Sequence, residues 1–161
     1  MAQSVKALRV EVEIEGVLIG DDGARQVISW SYDKTLTAGE GADQVSRVFQ
    51  DQVRALTSSS SDIDFGTVED FEGNALGIAA LKVLAIRNLS TTASELGLLD
   101  AATSDDAGIL NGTNPLHSIG PGGLFLIVDP GAAGYAAGDS IGLRSNNPLN
   151  VYLLAAGDTG A

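Results

Sequence analysis

Cysteine is absent from this chain of 161 residues. Neither a disulfide framework nor a thiolate metal site can form, thiol catalysis is excluded, and the redox compartment is left open. Histidine occurs once, at His117. A triad would need it beside a nucleophile, yet no GxSxG elbow marks a serine, so His117 reads as a structural residue near a strand start. Aromatic side chains are few, with one Trp, three Tyr and four Phe, which leaves little to line a sugar-stacking cleft. Basic residues are scarce as well: nine Lys plus Arg against 21 Asp plus Glu give a net charge of −12. Such a surface repels phosphate backbones, and no nucleic-acid partner is expected. High like charge keeps monomers soluble before assembly and suits docking on a basic partner. Long hydrophobic runs are also missing. No segment approaches the roughly 18 continuous apolar residues of a membrane span, and MAQSVKALRVEVEIEG has no apolar signal core. A soluble protein made in the cytoplasm, with no membrane partner, is the expectation. The absence of heptads and of a fixed-period repeat excludes a coiled coil or solenoid.

What is present is a series of short apolar runs between Gly, Pro and Asn clusters. LFLIV at 124–128, SIGLR at 140–144 and VYLLA at 151–155 have the length and turn-bounded spacing of strands in a sandwich or barrel. None puts a titrating residue on its inner face. At the N-terminus Leu8, Val10, Val12 and Ile14 alternate with Arg9, Glu11, Glu13 and Glu15, the period of two of a half-buried strand with an acidic outer face. A turn at Gly20-Asp21-Asp22-Gly23 supplies positive φ, and Val27, Ser29 and Ser31 then alternate with Ile28, Trp30 and Tyr32. Residues 5–36 therefore read as a long-armed β-hairpin whose first strand is a candidate edge for a neighbouring copy. A Gly-containing connection is expected at 35–44. At 45–57 helical and strand spacings compete, and a strand is favoured. The uninterrupted apolar stretch AALKVLAIRNLS at 79–90 suggests a central strand. Between 95 and 120, short apolar pairs among small polar residues fit two or three short strands. At this length one domain buries about 70% of its unfolded surface, and it is divided as an N-terminal hairpin or arm (1–36) and a sandwich body (45–157) within 1–161. The fold class expected is all-β, a jelly-roll-like β-sandwich.

Candidate chemistry is thin. Asp62 with Asp64, Glu69 with Asp70 and Glu72, and Asp105 with Asp106 form acidic pairs such as glycosidases use across a cleft, but 21 acidic residues among 161 produce such pairs by chance. DDGARQ at 21–26 and DIDFGTVEDFEG at 62–73 could offer oxygens to Ca²⁺, yet both miss the EF-hand pattern and read as solvated loops. GEG at 39–41 and GPGG at 120–123 lack the Lys-Ser/Thr and the helix of a phosphate loop and read as turns. No catalytic residue, metal site or cofactor is expected.

Three segments carry a resemblance: WSYDKTLTAGEGADQVSRVFQDQ at 30–52, IDFGTVEDFEGNALGIAALKVLAIRNLS at 63–90, and GPGGLFLIVDPGAAGYAAGDSIGLRSNNPLNVYLLAAG at 120–157. The middle one is similar to a D-L-x-G-x-L-x-D-x-x-G turn followed by K-h-h-h-I-x-N, where h is apolar. The last is similar to P-G-G-h-F-h-h, then P-x-x-x-G-Y and a closing strand. Asp64, Gly66, Asp70, Gly73, Lys82, Ile86, Asn88, Pro121, Gly122, Gly123, Phe125, Pro130, Gly134, Tyr135 and Asp139 stand at those positions. In this order the chain resembles a family of small virion proteins of tailed bacteriophages. Region 91–119 departs from the pattern and 1–26 lies outside it, so the protein's own docking surface is expected there.

The resemblance implies a jelly-roll or β-sandwich protein of the particle exterior. The leading expectation is a non-enzymatic capsid decoration (cement) protein that binds the major capsid protein lattice from outside, assembles as a homotrimer and is made in the host cytoplasm. Its proposed contact is the acidic face Glu11, Glu13 and Glu15. A collar, baseplate or tail-associated adaptor is one alternative. Another is a carbohydrate- or receptor-binding module on a fibre, with Trp30, Tyr32 and Tyr135 as stacking platforms. Aromatic exposure separates them: a glycan reader needs coplanar exposed rings in a groove, whereas a decoration protein is expected to bury Trp30.

Overall fold

The computed structural model describes residues 5–19, 25–56, 61–70, 72–91, 96–100, 117–131, 135–136, 140–145 and 147–159. These form β1 (Ala7–Ile19), β2 (Arg25–Ala38), β3 (Gln44–Val45), β4 (Arg47–Leu56), β5 (Ser61–Asp64), β6 (Ala80–Asn88), β7 (Leu96–Asp100), β8 (His117–Ile119), β9 (Leu124–Val128), β10 (Tyr135–Ala136), β11 (Ser140–Ser145) and β12 (Leu149–Asp158), with no helix among the described residues. The first sheet runs β1-β2-β3. The second runs β10-β6-β12-β4, with β9 also on β6. The third runs β5-β11-β7-β8.

Alternation along the strands decides how the sheets stack. In β12, Val151, Leu153 and Ala155 join Leu84 and Ile86 of β6 in a core shared with Ile63, Ile119, Ile141 and Leu143 of the third sheet. The opposite pleat positions, Leu154 and Ala156, join Val83, Leu126 and Val128 in a second cluster against Leu8, Val10 and Leu36 of the hairpin. The second sheet is thus apolar on both faces, one on the third sheet and the other on the root of the hairpin. That is why β6 and β12 read as nearly continuous apolar runs. The arrangement is all-β and consistent with a β-sandwich.

The expected elements are found with small shifts. β2 extends to Ala38, so the connection is 39–43 rather than 35–44. The segment after 45 is a strand, and its mixed periodicity has a physical cause. The β12–β4 register slips between Val151 and Leu153, which pair with Arg54 and Asp51. The bulge reverses the inward parity, so odd Phe49 and even Leu56 both reach the same core. In the difficult 95–120 stretch, β7 and β8 pair with each other; residues 101–116 lie outside the described residues.

A second bulge shapes the root of the hairpin. Ala156 pairs with Val83 but Gly157 pairs with Leu81, leaving Lys82 as the extra residue. The bulge re-aims Lys82, which is fully buried. Its Nζ lies 2.7 Å from Asp158 Oδ2 and donates to the Gly41 carbonyl at 2.6 Å. Asp129 N donates to the Lys82 carbonyl at 2.8 Å, and Asp43 N to the Pro130 carbonyl at 2.8 Å. The connection that follows β2 is therefore tied to the body by one buried cation and a set of backbone bonds.

Asn88 closes the other end of β6. Its buried Nδ2 donates to the Ile119 carbonyl at 2.9 Å, and its Oδ1 accepts from Ser90 N at 2.9 Å. Its backbone exchanges bonds with Gly122 and Gly123 at 3.0 Å each. Asn88→Ala is expected to lower unfolding free energy by about 1–3 kcal/mol, since it leaves the Ile119 carbonyl without this donor. Urea titration checks it.

Candidate functional site

β1 and β2 pair antiparallel over their whole length, from Ala7 with Thr37 to Ile19 with Arg25. Directly paired residues share a face, so the register assigns the two faces of this ribbon. One carries Leu8, Val10, Val12, Ile14, Gly16, Ile28, Trp30, Tyr32, Lys34 and Leu36. The other carries Arg9, Glu11, Glu13, Glu15, Asp33, Ser29 and Ser31, and ends in Val17, Val27 and Ile19. The apolar face is buried only at its root, where Leu36, Leu8 and Val10 meet the second sheet. Farther out, Ile14 is 53% exposed, Ile28 39% and Trp30 52%. The paired strands from about Val12 to Ile19 and from Arg25 to Tyr32 therefore form an arm with solvent on both sides, roughly 25 Å long at the usual strand rise.

The acidic face carries its own ion pairs. Arg9 Nε and Nη2 donate to Asp33 Oδ1 and Oδ2 at 2.9 and 2.8 Å, and Arg9 Nη2 lies 3.2 Å from Glu11 Oε2. The Arg9 hydrogen bond holds the Asp33 carboxyl below the usual carboxylate range and raises the Arg9 pKa in turn. Glu13 and Glu15 stand opposite Ser31 and Ser29 and are exposed. Of the three glutamates expected to meet a partner, Glu11 is thus partly engaged within the chain, while Glu13 and Glu15 face water.

Trp30 and Tyr32 lie on the opposite, apolar face, two residues apart on β2. Their rings stack with centroids 6.5 Å apart and planes 16° from parallel. Trp30 is 52% exposed, so on the criterion of aromatic exposure it does not meet what a decoration protein was expected to show. The reason is register: Trp30 falls beyond the root, past the last position where the second sheet lies beneath the ribbon. The rings face one another on an open ribbon rather than lying side by side in a groove. Tyr135 is placed elsewhere, in β10 paired with Leu81, and its side chain lies outside the described residues, as does that of His117.

The acidic loops are spent on turns. Asp64 Oδ1 accepts from Gly66 N at 2.8 Å. Asp70 Oδ1 accepts from Glu72 N at 2.8 Å and Asn74 N at 3.0 Å, and these bonds, that from Asn74 above all, hold its carboxyl below the usual range. The side chain of Asp62, the pair Asp105 and Asp106, and residues 21–24 of the first candidate Ca²⁺ loop lie outside the described residues. No group of three His, Asp or Glu side chains converges as a metal site among the described residues.

Two features escaped the sequence reading. One is the buried pair of Lys82 and Asp158, whose partners are far apart in the chain. The other is the apolar distal part of the two strands, for which a signal existed: Val17, Leu18 and Ile19, then Val27 and Ile28, break the alternation and place apolar residues on both faces. No family model matches the chain, and neither a curated protein nor a solved structure does.

Proposed function

We propose that this chain is a non-enzymatic virion structural protein of a tailed phage. It is read as a decoration (cement) protein, a jelly-roll-like sandwich assembling as a trimer on the exterior of the major capsid protein lattice. The observation that supports the reading is the arm: a ribbon projecting from a packed body, acidic on one face and apolar on the other. An isolated two-stranded ribbon is marginal in water and gains by being covered. Binding only to the assembled shell stabilises that shell by mass action. In this reading Glu13 and Glu15, with Glu11, face a basic patch on the shell.

The test adds the purified chain to shells lacking it and records the temperature at which they open. The expected result is a rise in that temperature. Glu13→Lys with Glu15→Lys is expected to weaken shell binding roughly tenfold at low salt and to flatten its salt dependence, because rim charges act through steering and long-range attraction. An unchanged opening temperature at saturating protein overturns the reading and moves the search to the collar, baseplate or tail.

A second reading, a carbohydrate- or receptor-binding module, is favoured by the exposed Trp30 beside Tyr32. A glycan array separates the two, since a sugar reader loses its signal on Trp30→Ala and leaves shells unaffected.

A further inference from the structure

We infer that the outer edge of β1 is a strand-addition site, and that its occupant is an extended segment of another chain with Lys or Arg at every second position and apolar side chains between. This gives a form to the partner of the acidic face, and rests on the reading above only in taking that segment from the shell.

The starting observation is an open edge. β1 ends the first sheet, pairs with β2 alone among the described residues, and runs for 13 residues. In an antiparallel pair every second residue turns its N–H and C=O away from its partner, so the outer side of β1 presents a row of such groups to water along the arm. Proteins commonly guard an edge of this length with proline, a bulge or lysine. Within ALRVEVEIEGVLI there is neither proline nor lysine, and the β1–β2 register is unbroken from Ala7 to Ile19. The other outer strands are shorter, and the one of comparable length, β4, carries Arg47 and Arg54 along with Asp51.

The guard that β1 does have is selective. Glu11, Glu13 and Glu15 form one row on the acidic face, and from the Glu11–Asp33 pair to the Val17–Val27 pair that face of the ribbon holds no Lys or Arg. Arg9, at the root, is taken up by Asp33 and Glu11. Opposite charges directly across a strand pair stabilise it and like charges destabilise it, so the row turns away acidic strands and accepts a basic one. Val12 and Ile14, between the glutamates, project from the other face, and Ile14 is exposed. A strand that alternates a basic with an apolar residue matches both rows at once, because successive side chains point to opposite faces of a sheet. A folded basic patch matches only the glutamates. The addition also turns a two-stranded ribbon, marginal in water, into a three-stranded sheet. In this mode main-chain bonds supply affinity, and the alternate side chains supply choice.

The probe is a short peptide alternating Lys with Val, compared at ~0.15 M salt with an isomer that gathers the same lysines in one block. Binding to the full chain is followed by fluorescence anisotropy, and amide exchange along β1 by NMR. The alternating peptide is expected to bind roughly tenfold more tightly than its isomer, to lose that advantage when its backbone amides are N-methylated, and to slow exchange at alternate β1 amides. Glu13→Lys with Glu15→Lys is expected to weaken its binding by roughly tenfold or more. Both sites are exposed, and an unchanged melting temperature shows that the fold is intact.

Equal binding of the two isomers, indifference to N-methylation, binding that survives Glu13→Lys with Glu15→Lys, or protection at β4 instead of β1 each overturns the inference. Slowed β1 exchange in the chain alone at high concentration assigns the edge to a second copy and overturns it too. Shells stabilised by a chain that fails these peptide tests leave the decoration reading standing without strand addition. A chain that passes them yet leaves shells unaffected supports the inference and sinks the decoration reading.

Discussion

Lys82→Met is expected to lower unfolding free energy by about 3–5 kcal/mol, the usual cost of removing one partner of a buried ion pair. For a domain of this size that corresponds to a fall in melting temperature of roughly 10–15 °C. The cause is Asp158, whose side chain is 2% exposed and would be left buried without its cation. The Gly41 carbonyl would lose its 2.6 Å donor at the same time. The double variant Lys82→Met with Asp158→Leu should recover much of the loss, because a buried pair often costs more in desolvation than it returns. Calorimetry on the wild type, both single variants and the double variant checks this. Equal losses in the single and double variants would show that packing of the Lys82 stem, rather than the charge, carries the effect. The connection at 39–43 hangs on Lys82, so the single variant should also speed amide exchange in the turn at the root of the arm.

Gly157→Ala is expected to cost about 3 kcal/mol or more, near the top of the range for overpacking. A Cβ built there would stand 2.1 Å from the Ala80 carbonyl oxygen and 2.8 Å from Ile78 Cγ2. Relief would require β6 and β12 to separate at the bulge beside Lys82, because the obstacle is backbone and not a side chain that can swing away. Gly16→Ala, on the arm, meets nothing within 4 Å. Its effect should be neutral to mildly stabilising, by up to about 1 kcal/mol, as it narrows the unfolded ensemble in a strand that any residue can occupy. Thermal melts of the two variants side by side test the contrast, and equal shifts would contradict the close approach at Gly157. Gly157 and Lys82 sit at one bulge, so their effects should not add.

Much of the architecture was legible in local pattern. The alternation from Leu8 to Glu15 located β1 and its two faces, and the answering alternation from Val27 to Tyr32 located β2. The runs at 124–128, 140–144 and 151–155 fell on β9, β11 and β12. The continuous apolar stretch at 79–90 marked β6 as central, since only a strand covered on both faces tolerates it. Periodicity failed at 45–57, where a bulge reverses the inward parity between Phe49 and Leu56. It failed again at Lys82, a charge inside an apolar run. Its partner Asp158 is brought near by strand pairing, and strand pairing is a long-range event that leaves no trace in a local window.

By itself, the sequence determined the class of the molecule: strands rather than helices, an acidic Cys-free surface, and a ribbon with an apolar and an acidic face. Those properties follow from side-chain chemistry at a period of two and need no neighbour. Tertiary structure alone decided how far along the ribbon the second sheet lies beneath it. That boundary, falling between Val10 and Ile14, separates buried root from bare arm, and it depends on where β6, β9 and β12 end in space. Alternation reports which side chains share a face, but burial requires another surface within van der Waals reach. For this reason Trp30, with an inward pattern in sequence, is left in water in the single chain.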